Sequence, residues 1–208
     1  MAITFFYSPQ SSATRVHWTL EELGIPYEKV KLDLRAGDQR KPDFLAINPN
    51  GKVPALVLDG TPVFESSAIQ ILLGERFGVE KGLWPAANTP ERAQALSWLL
   101  WGQISLGGPF MRYFINTGEW TPKELQHAPA GEAALKEVHA NLEILDARLR
   151  GREFVVGDRF NLADLDLASL CGWAIPTAKL DVSKYPNLQD WLGRMTSRNA
   201  FKTAMSAT

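Results

Sequence analysis

The chain has 208 residues, 45% of them hydrophobic and 22% charged, with a formal net charge of -1. That apolar share is enough for one large core or two smaller ones. The near-neutral balance, without a basic stripe, argues against an electrostatic nucleic-acid or membrane-surface binder, and no apolar run reaches the ~20 residues of a spanning helix.

The start of the chain reads as a first strand and not as a signal peptide, because it has neither a basic leader nor a long apolar segment. A single cysteine, Cys171, fits a reducing, cytoplasmic setting. His17, His127 and His139 lie far apart without ligand spacing, so no metal is expected and all three read as surface or structural residues.

In chain order, residues 3–7 have the β-branched and aromatic bias of a strand. Ser11-Ser12 open a helix to Leu23, with Val16, Leu20 and Leu23 on one face and Gly24 as its stop. Residues 27–34 alternate as a second strand, and a short helix from Lys41 is stopped by Asn48-Pro49-Asn50-Gly51. Two short strands, 55–58 and 62–64, join through Asp59-Gly60, and a helix burying Ile69, Leu72, Leu73 and Phe77 ends at Gly78. This order predicts a mixed sheet with helical crossovers and an antiparallel edge, the thioredoxin-like arrangement.

Beyond Trp84-Pro85 the strand signals vanish. Thr89-Pro90-Glu91 is a helix start, and the helix it opens runs through Leu96, Leu99, Leu100 and Ile104 until Gly107-Gly108-Pro109 loosens or kinks it. Helices follow over 132–149, over 163–173 (apolar nearly all round, hence buried) and from 188 to 195 and beyond. The expectation is an α/β N-terminal thioredoxin-like domain over 1–80, a linker at 81–88, and an all-α C-terminal helical domain over 89–208.

Two segments carry binding chemistry. In Asn48-Pro49-Asn50-Gly51-Lys52-Val53-Pro54, a cis Pro54 would turn the Val53 N–H and C=O outward, where an extended peptide ligand can pair with them; otherwise Pro54 merely starts an edge strand. In Phe64-Glu65-Ser66-Ser67, Ser66 or Ser67 would cap a helix whose N–H groups can hold a carboxylate, while Glu65 can take an ammonium. A capped helix with a solvated glutamate is the plain alternative.

Together with the Tyr-Ser-Pro-x-Ser-Ser opening at residues 7–12 and the Leu-Glu-Glu-Leu-Gly-Ile-Pro-Tyr helix exit, these segments resemble the glutathione-binding domain of cytosolic glutathione transferases over residues 3–78. The resemblance implies that Glu65 and Ser66 hold the γ-glutamyl end of glutathione. It further implies that Val53, next to Pro54, pairs with the cysteinyl backbone and that Lys52 and Gln39 approach the glycyl carboxylate. Residues 154–165 match the family's Gly-Asp…Ala-Asp segment, and independently of the family Asn161 and Asp164 have the spacing of a capping box, a structural role.

A thiol with a pKa near 8.5 needs a donor to become a thiolate at neutral pH. Three hydroxyls compete to donate to the sulfur. Ser11, at the family's serine-type position and next to the helix start, is the first choice, and Ser12 suits the helix cap but is the reactive position in some relatives. Tyr7 stands at the tyrosine-type position. Arg15 strengthens the local positive field or, as the preferred reading, pairs on the surface. No cysteine lies here, which argues against members that exchange disulfides through their own thiol.

A small hydrophobic electrophile is expected to meet Phe110, Met111, Tyr113 and Phe114, unless these aromatics are ordinary helical core. The resemblance also implies a homodimer, with Gln103 a candidate to reach the partner's glutathione. The function expected is glutathione transfer to an electrophile, with a glutathione-dependent isomerase or a non-catalytic transferase-like interaction protein as alternatives.

Overall fold

A computed structural model describes residues 1–206. The chain forms two compact units. The first comprises residues 1–87 together with the described residues from 197 on, and the second comprises residues 88–196.

In the first unit, β1 (Ile3–Tyr7), β2 (Glu28–Lys31), β3 (Ala55–Leu58) and β4 (Thr61–Phe64) form one sheet in the order β2-β1-β3-β4. β1 pairs parallel with β2, Phe5 opposite Lys29, and antiparallel with β3, Phe5 opposite Leu56. Alternation along β1 sends Ile3 and Phe5 to one face and Phe6 to the other. Helices α1 (Ala13–Leu23) and α3 (Ser66–Leu73) cover the first face, burying Val16, Leu20, Leu23, Ile69 and Leu73 against β1 and β3. The short α2 (Pro42–Leu45) covers the other through Phe44. This is the mixed, thioredoxin-like sheet expected from the element order.

The second unit is helical: α4 (Pro90–Trp101), α5 (Gly107–Thr117), α6 (Ala128–Leu149), α7 (Leu162–Thr177) and α8 (Pro186–Thr196). Thr89 caps α4 by accepting from the Arg92 N–H at 3.2 Å. The expected break at Gly107-Gly108-Pro109 takes another form, because the chain stays helical through a wide turn over residues 102–106. There the Gly107 N–H reaches back five residues to the Gly102 carbonyl. Pro109 has no N–H for the Ser105 carbonyl four residues earlier, and Asn141 of α6 donates to that oxygen instead, at 2.8 Å.

As expected, α7 is buried along most of its length. Its start is the capping box read from the sequence: the Asn161 side chain accepts from the Ala163 N–H, and Asp164 accepts from the Asn161 N–H.

The last helix, α9 (Asn199–Ser206), belongs by sequence order to the helical half but packs on α1 of the first unit. Phe201 meets Trp18 edge-on at 4.8 Å. Arg198 forks onto Glu22 at 2.6 and 2.8 Å, and Glu22 also accepts from the Trp18 indole at 2.9 Å.

Candidate functional site

The mouth of α1 brings together two of the three candidate hydroxyls and the Val53 loop. Ser11 is tied into the turn: its hydroxyl donates to the Ser8 carbonyl at 2.7 Å and accepts from the Ala13 N–H at 3.2 Å. Ser12 makes no side-chain capping bond, and its hydroxyl instead donates to the Val53 carbonyl at 3.3 Å. The expectation that Ser12 caps the helix is therefore corrected. Ser11 fills that place because its oxygen sits two residues before the first free N–H, the reach of a serine turn.

Tyr7 is partly buried, stacked on Phe5 at 5.5 Å and 6.2 Å from the His17 ring. Arg15 is buried and not on the surface as expected, because it lies on the α1 face that packs inward. Thr19 and Gln70 had no signal in the sequence. Gln70 of α3 donates to the Thr19 hydroxyl at 3.1 Å, and Thr19 donates to the Arg15 carbonyl at 2.8 Å. This buried polar link locks the two helices that carry the site.

The loop before β3 is held from within. Buried Asn48 donates to the Lys52 carbonyl at 2.6 Å and accepts from the Asn50 N–H at 3.0 Å. Gly51 has φ of +59°, and an added Cβ would come within 2.9 Å of the Gln39 carbonyl, so only glycine fits there. The Val53–Pro54 bond is cis. Lys52 is exposed beside it. The Gln39 side chain is drawn back, donating to the Leu34 carbonyl at 3.1 Å.

Across the sheet end, Glu65 occupies the position before α3 with φ of +68° and ψ of 119°, and no side chain caps the helix. Ser66 is its first residue and nearly buried, so neither it nor Ser67 is the cap expected. A non-glycine residue held in so sparse a region marks a place where the surroundings over-determine the backbone. The first N–H groups of α3 have no partner within the helix.

In the helical unit, Gln103 donates to the buried Asp166 at 2.6 Å. Phe110 and Phe114 are buried, Tyr113 packs on Phe114 at 5.7 Å, and Met111 is exposed. Two residues missed from the sequence complete an aromatic cluster. Trp120 and Trp173 lie 5.3 and 5.1 Å from Phe114 and stack on each other at 6.1 Å, both partly open to solvent. Only ring proximity in space identifies them, since 53 residues separate them in the chain.

Among the described residues, no group of three or more His, Cys, Asp or Glu is placed to hold a metal, and no helix is long and apolar enough to cross a membrane.

Two family models match the chain: "Glutathione S-transferase, N-terminal domain" over residues 8–76 and "Glutathione S-transferase, C-terminal domain" over residues 109–199. The disulfide-bond oxidoreductase YfcG of Escherichia coli K12 is 30% identical, covering 98% of this chain and 94% of its own. The glutathione S-transferase GstB of the same organism is 32% identical, covering 92% and 91%. A sphingomonad glutathione S-transferase solved in complex with glutathione is 32% identical, with a TM-score of 0.84 and 98% of each chain covered.

Proposed function

The chain belongs to the glutathione S-transferase family, and from that premise we propose that it binds glutathione and directs its thiolate at an electrophilic small molecule. The observation that carries this reading is the contact of Ser12 with Val53, the residue expected to pair with the cysteinyl backbone. When the cysteinyl N–H of glutathione takes the Val53 carbonyl, the Ser12 hydroxyl is released beside the cysteine sulfur. Its O–H then donates to the thiolate, and the start of α1 adds its positive field. Ser11, the first choice from the sequence, gives way to Ser12 in this reading because its hydroxyl is bonded into its own turn, where it keeps the helix mouth in place. Tyr7 is a packing residue.

Glu65 takes the ligand ammonium, and the open N–H groups of α3 with the Ser66 hydroxyl take the α-carboxylate. Lys52 approaches the glycyl carboxylate, with Gln39 held nearby. In the helical unit, Met111, Tyr113 and the Phe114–Trp120–Trp173 cluster favour an aromatic electrophile. A homodimer in the cytoplasm is the expected setting. Exposed Leu100, Ile104 and Ile115 supply apolar surface for a second copy.

The test follows conjugation of glutathione to a chlorinated nitroaromatic in the wild type, Ser11→Ala, Ser12→Ala and Tyr7→Phe. Ser12→Ala should lower kcat by roughly 10²-fold, the scale of one lost transition-state hydrogen bond. Full rate in Ser12→Ala with loss in Tyr7→Phe would overturn the serine assignment. The relative named as a disulfide-bond oxidoreductase raises a second reading, exchange between glutathione and a disulfide. Cys171 is fully buried, so such exchange would run between substrate sulfurs alone. Mass analysis of products separates the two, and unchanged glutathione after turnover would indicate an isomerase.

A further inference from the structure

Beside the Val53 loop stands a cation that has no counter-ion among the described residues. Arg40 ends the short turn Asp38–Arg40 ahead of α2, and it is exposed. Its guanidinium lies against Gly51, where an added Cβ would come within 3.0 Å of the Arg40 Nη1. Gly51 precedes Val53 by two residues, a span of at most ~7 Å of chain. The carboxylates of the preceding loop are already engaged. Asp38 holds the Lys41 ammonium at 2.7 Å and accepts from the Asp33 N–H at 2.8 Å. Asp33 accepts from the Arg35 and Ala36 N–H groups at 2.9 and 3.1 Å. Asp43, in the first turn of α2, is not paired with Arg40, whose guanidinium has neither ion pair nor hydrogen bond among the described residues. The neighbouring Gln39 offers the wrong polarity to an anion. Its amide nitrogen is spent on the Leu34 carbonyl at 3.1 Å, and the atom left over is a buried Oε1 without a hydrogen-bond partner. An amide oxygen only accepts, so it cannot bond a carboxylate.

We propose that Arg40 reads the glycyl carboxylate of bound glutathione, so that the site selects a tripeptide whose terminal carboxylate is free. The inference rests on the glutathione reading above, in which the glycyl end lies on the Lys52 side of Val53. The planar guanidinium matches a carboxylate with two parallel N–H donors, while the Lys52 ammonium adds a point charge from the loop itself. Gly51 serves this contact by its bareness, since a side chain there would press on the guanidinium. Gln39 is left to hold the turn.

Calorimetric binding of glutathione and of its glycyl ethyl ester to the intact wild type, Arg40→Met and Arg40→Lys tests this. Esterification removes the charge, so the wild type should bind the ester at least ~tenfold more weakly, the scale of a hydrogen bond to a charged group. Arg40→Met should weaken glutathione by a similar factor and leave the ester nearly unaffected, so that the two ligands then differ by less than about threefold. Arg40→Lys keeps the charge without the fork and should fall between the two. Equal binding of both ligands by the wild type, or a full ester penalty in Arg40→Met, overturns the proposal and leaves the glutathione reading standing. A wild type that binds neither ligand overturns both.

Discussion

The Ser12 hydroxyl donates to the Val53 carbonyl across the mouth of α1, while its neighbour Ser11 is bonded into its own turn. Adjacent and chemically identical side chains thus have separable jobs. Ser11→Ala removes the acceptor for the Ala13 N–H and should lower unfolding free energy by about 0.5–2 kcal/mol. Ser12→Ala gives up only a long, exposed bond, so its melting temperature should stay near wild type while the pKa of bound glutathione rises. Thermal melts and thiolate absorbance against pH read the two effects; a reversed pattern would return the capping role to Ser12.

Asp164 does more than close a capping box. Its carboxylate accepts from the Val155 N–H at 2.7 Å, the Asn161 N–H at 3.2 Å and the Trp191 indole at 3.1 Å, all buried. A cap alone is worth ~0.5–2 kcal/mol. Stranding two further donors adds roughly 1–3 kcal/mol for each. Asp164→Ala should therefore cost more than about 2 kcal/mol in urea unfolding, and a smaller loss would mean that water replaces the carboxylate.

The Asn141–Ser105 bond answers the missing N–H of Pro109. Asn141→Leu leaves the Ser105 carbonyl unpaired and should destabilise by about 1–3 kcal/mol. Pro109→Ala restores a backbone donor, so the double variant should recover much of that loss. Additive losses would show that the two sites are uncoupled.

Arg198 and Glu22 join the last helix to the first, and Glu22 is only 9% exposed. Arg198→Met uncovers that carboxylate at a cost of about 1–3 kcal/mol, because the charge stays buried with the Trp18 indole as its remaining partner. Adding Glu22→Gln should restore part of the stability; no recovery would place the loss in packing and not in charge.

Stability should fall between about pH 7.5 and 5.5. His17 and His139 both titrate below 6.5, chiefly through burial, with Lys29 and Lys184 adding to it. Groups depressed in the fold contribute fully above 6.5, and the contribution is lost as pH drops from there towards their lowered values. The depressed carboxyls Asp38, Asp59 and Asp181 act below 3.8 and leave this window clear. Denaturant unfolding at the two pH values should show the loss, and His139→Gln should shrink it.

Local rules made much of the fold legible. Val16, Leu20 and Leu23 share a face, Asp59-Gly60 turns a hairpin, and Asn161 with Asp164 caps a helix, all within a few residues of each other. What escaped is contact across long separations. No periodicity tells Arg198 to seek Glu22, and two indoles 53 residues apart carry no mutual signal. Ser11 and Ser12 were indistinguishable by type, because the turn of about 100° between helical neighbours decides which hydroxyl faces the loop.

The first unit takes its last wall from the far end of the chain. During synthesis, the 109 residues from 88 to 196 must pass before α9 emerges. At ~5–20 residues per second that interval lasts roughly 5–20 s. Trp18 stays without its Phe201 contact throughout, so the nascent first unit carries an open aromatic face for that interval.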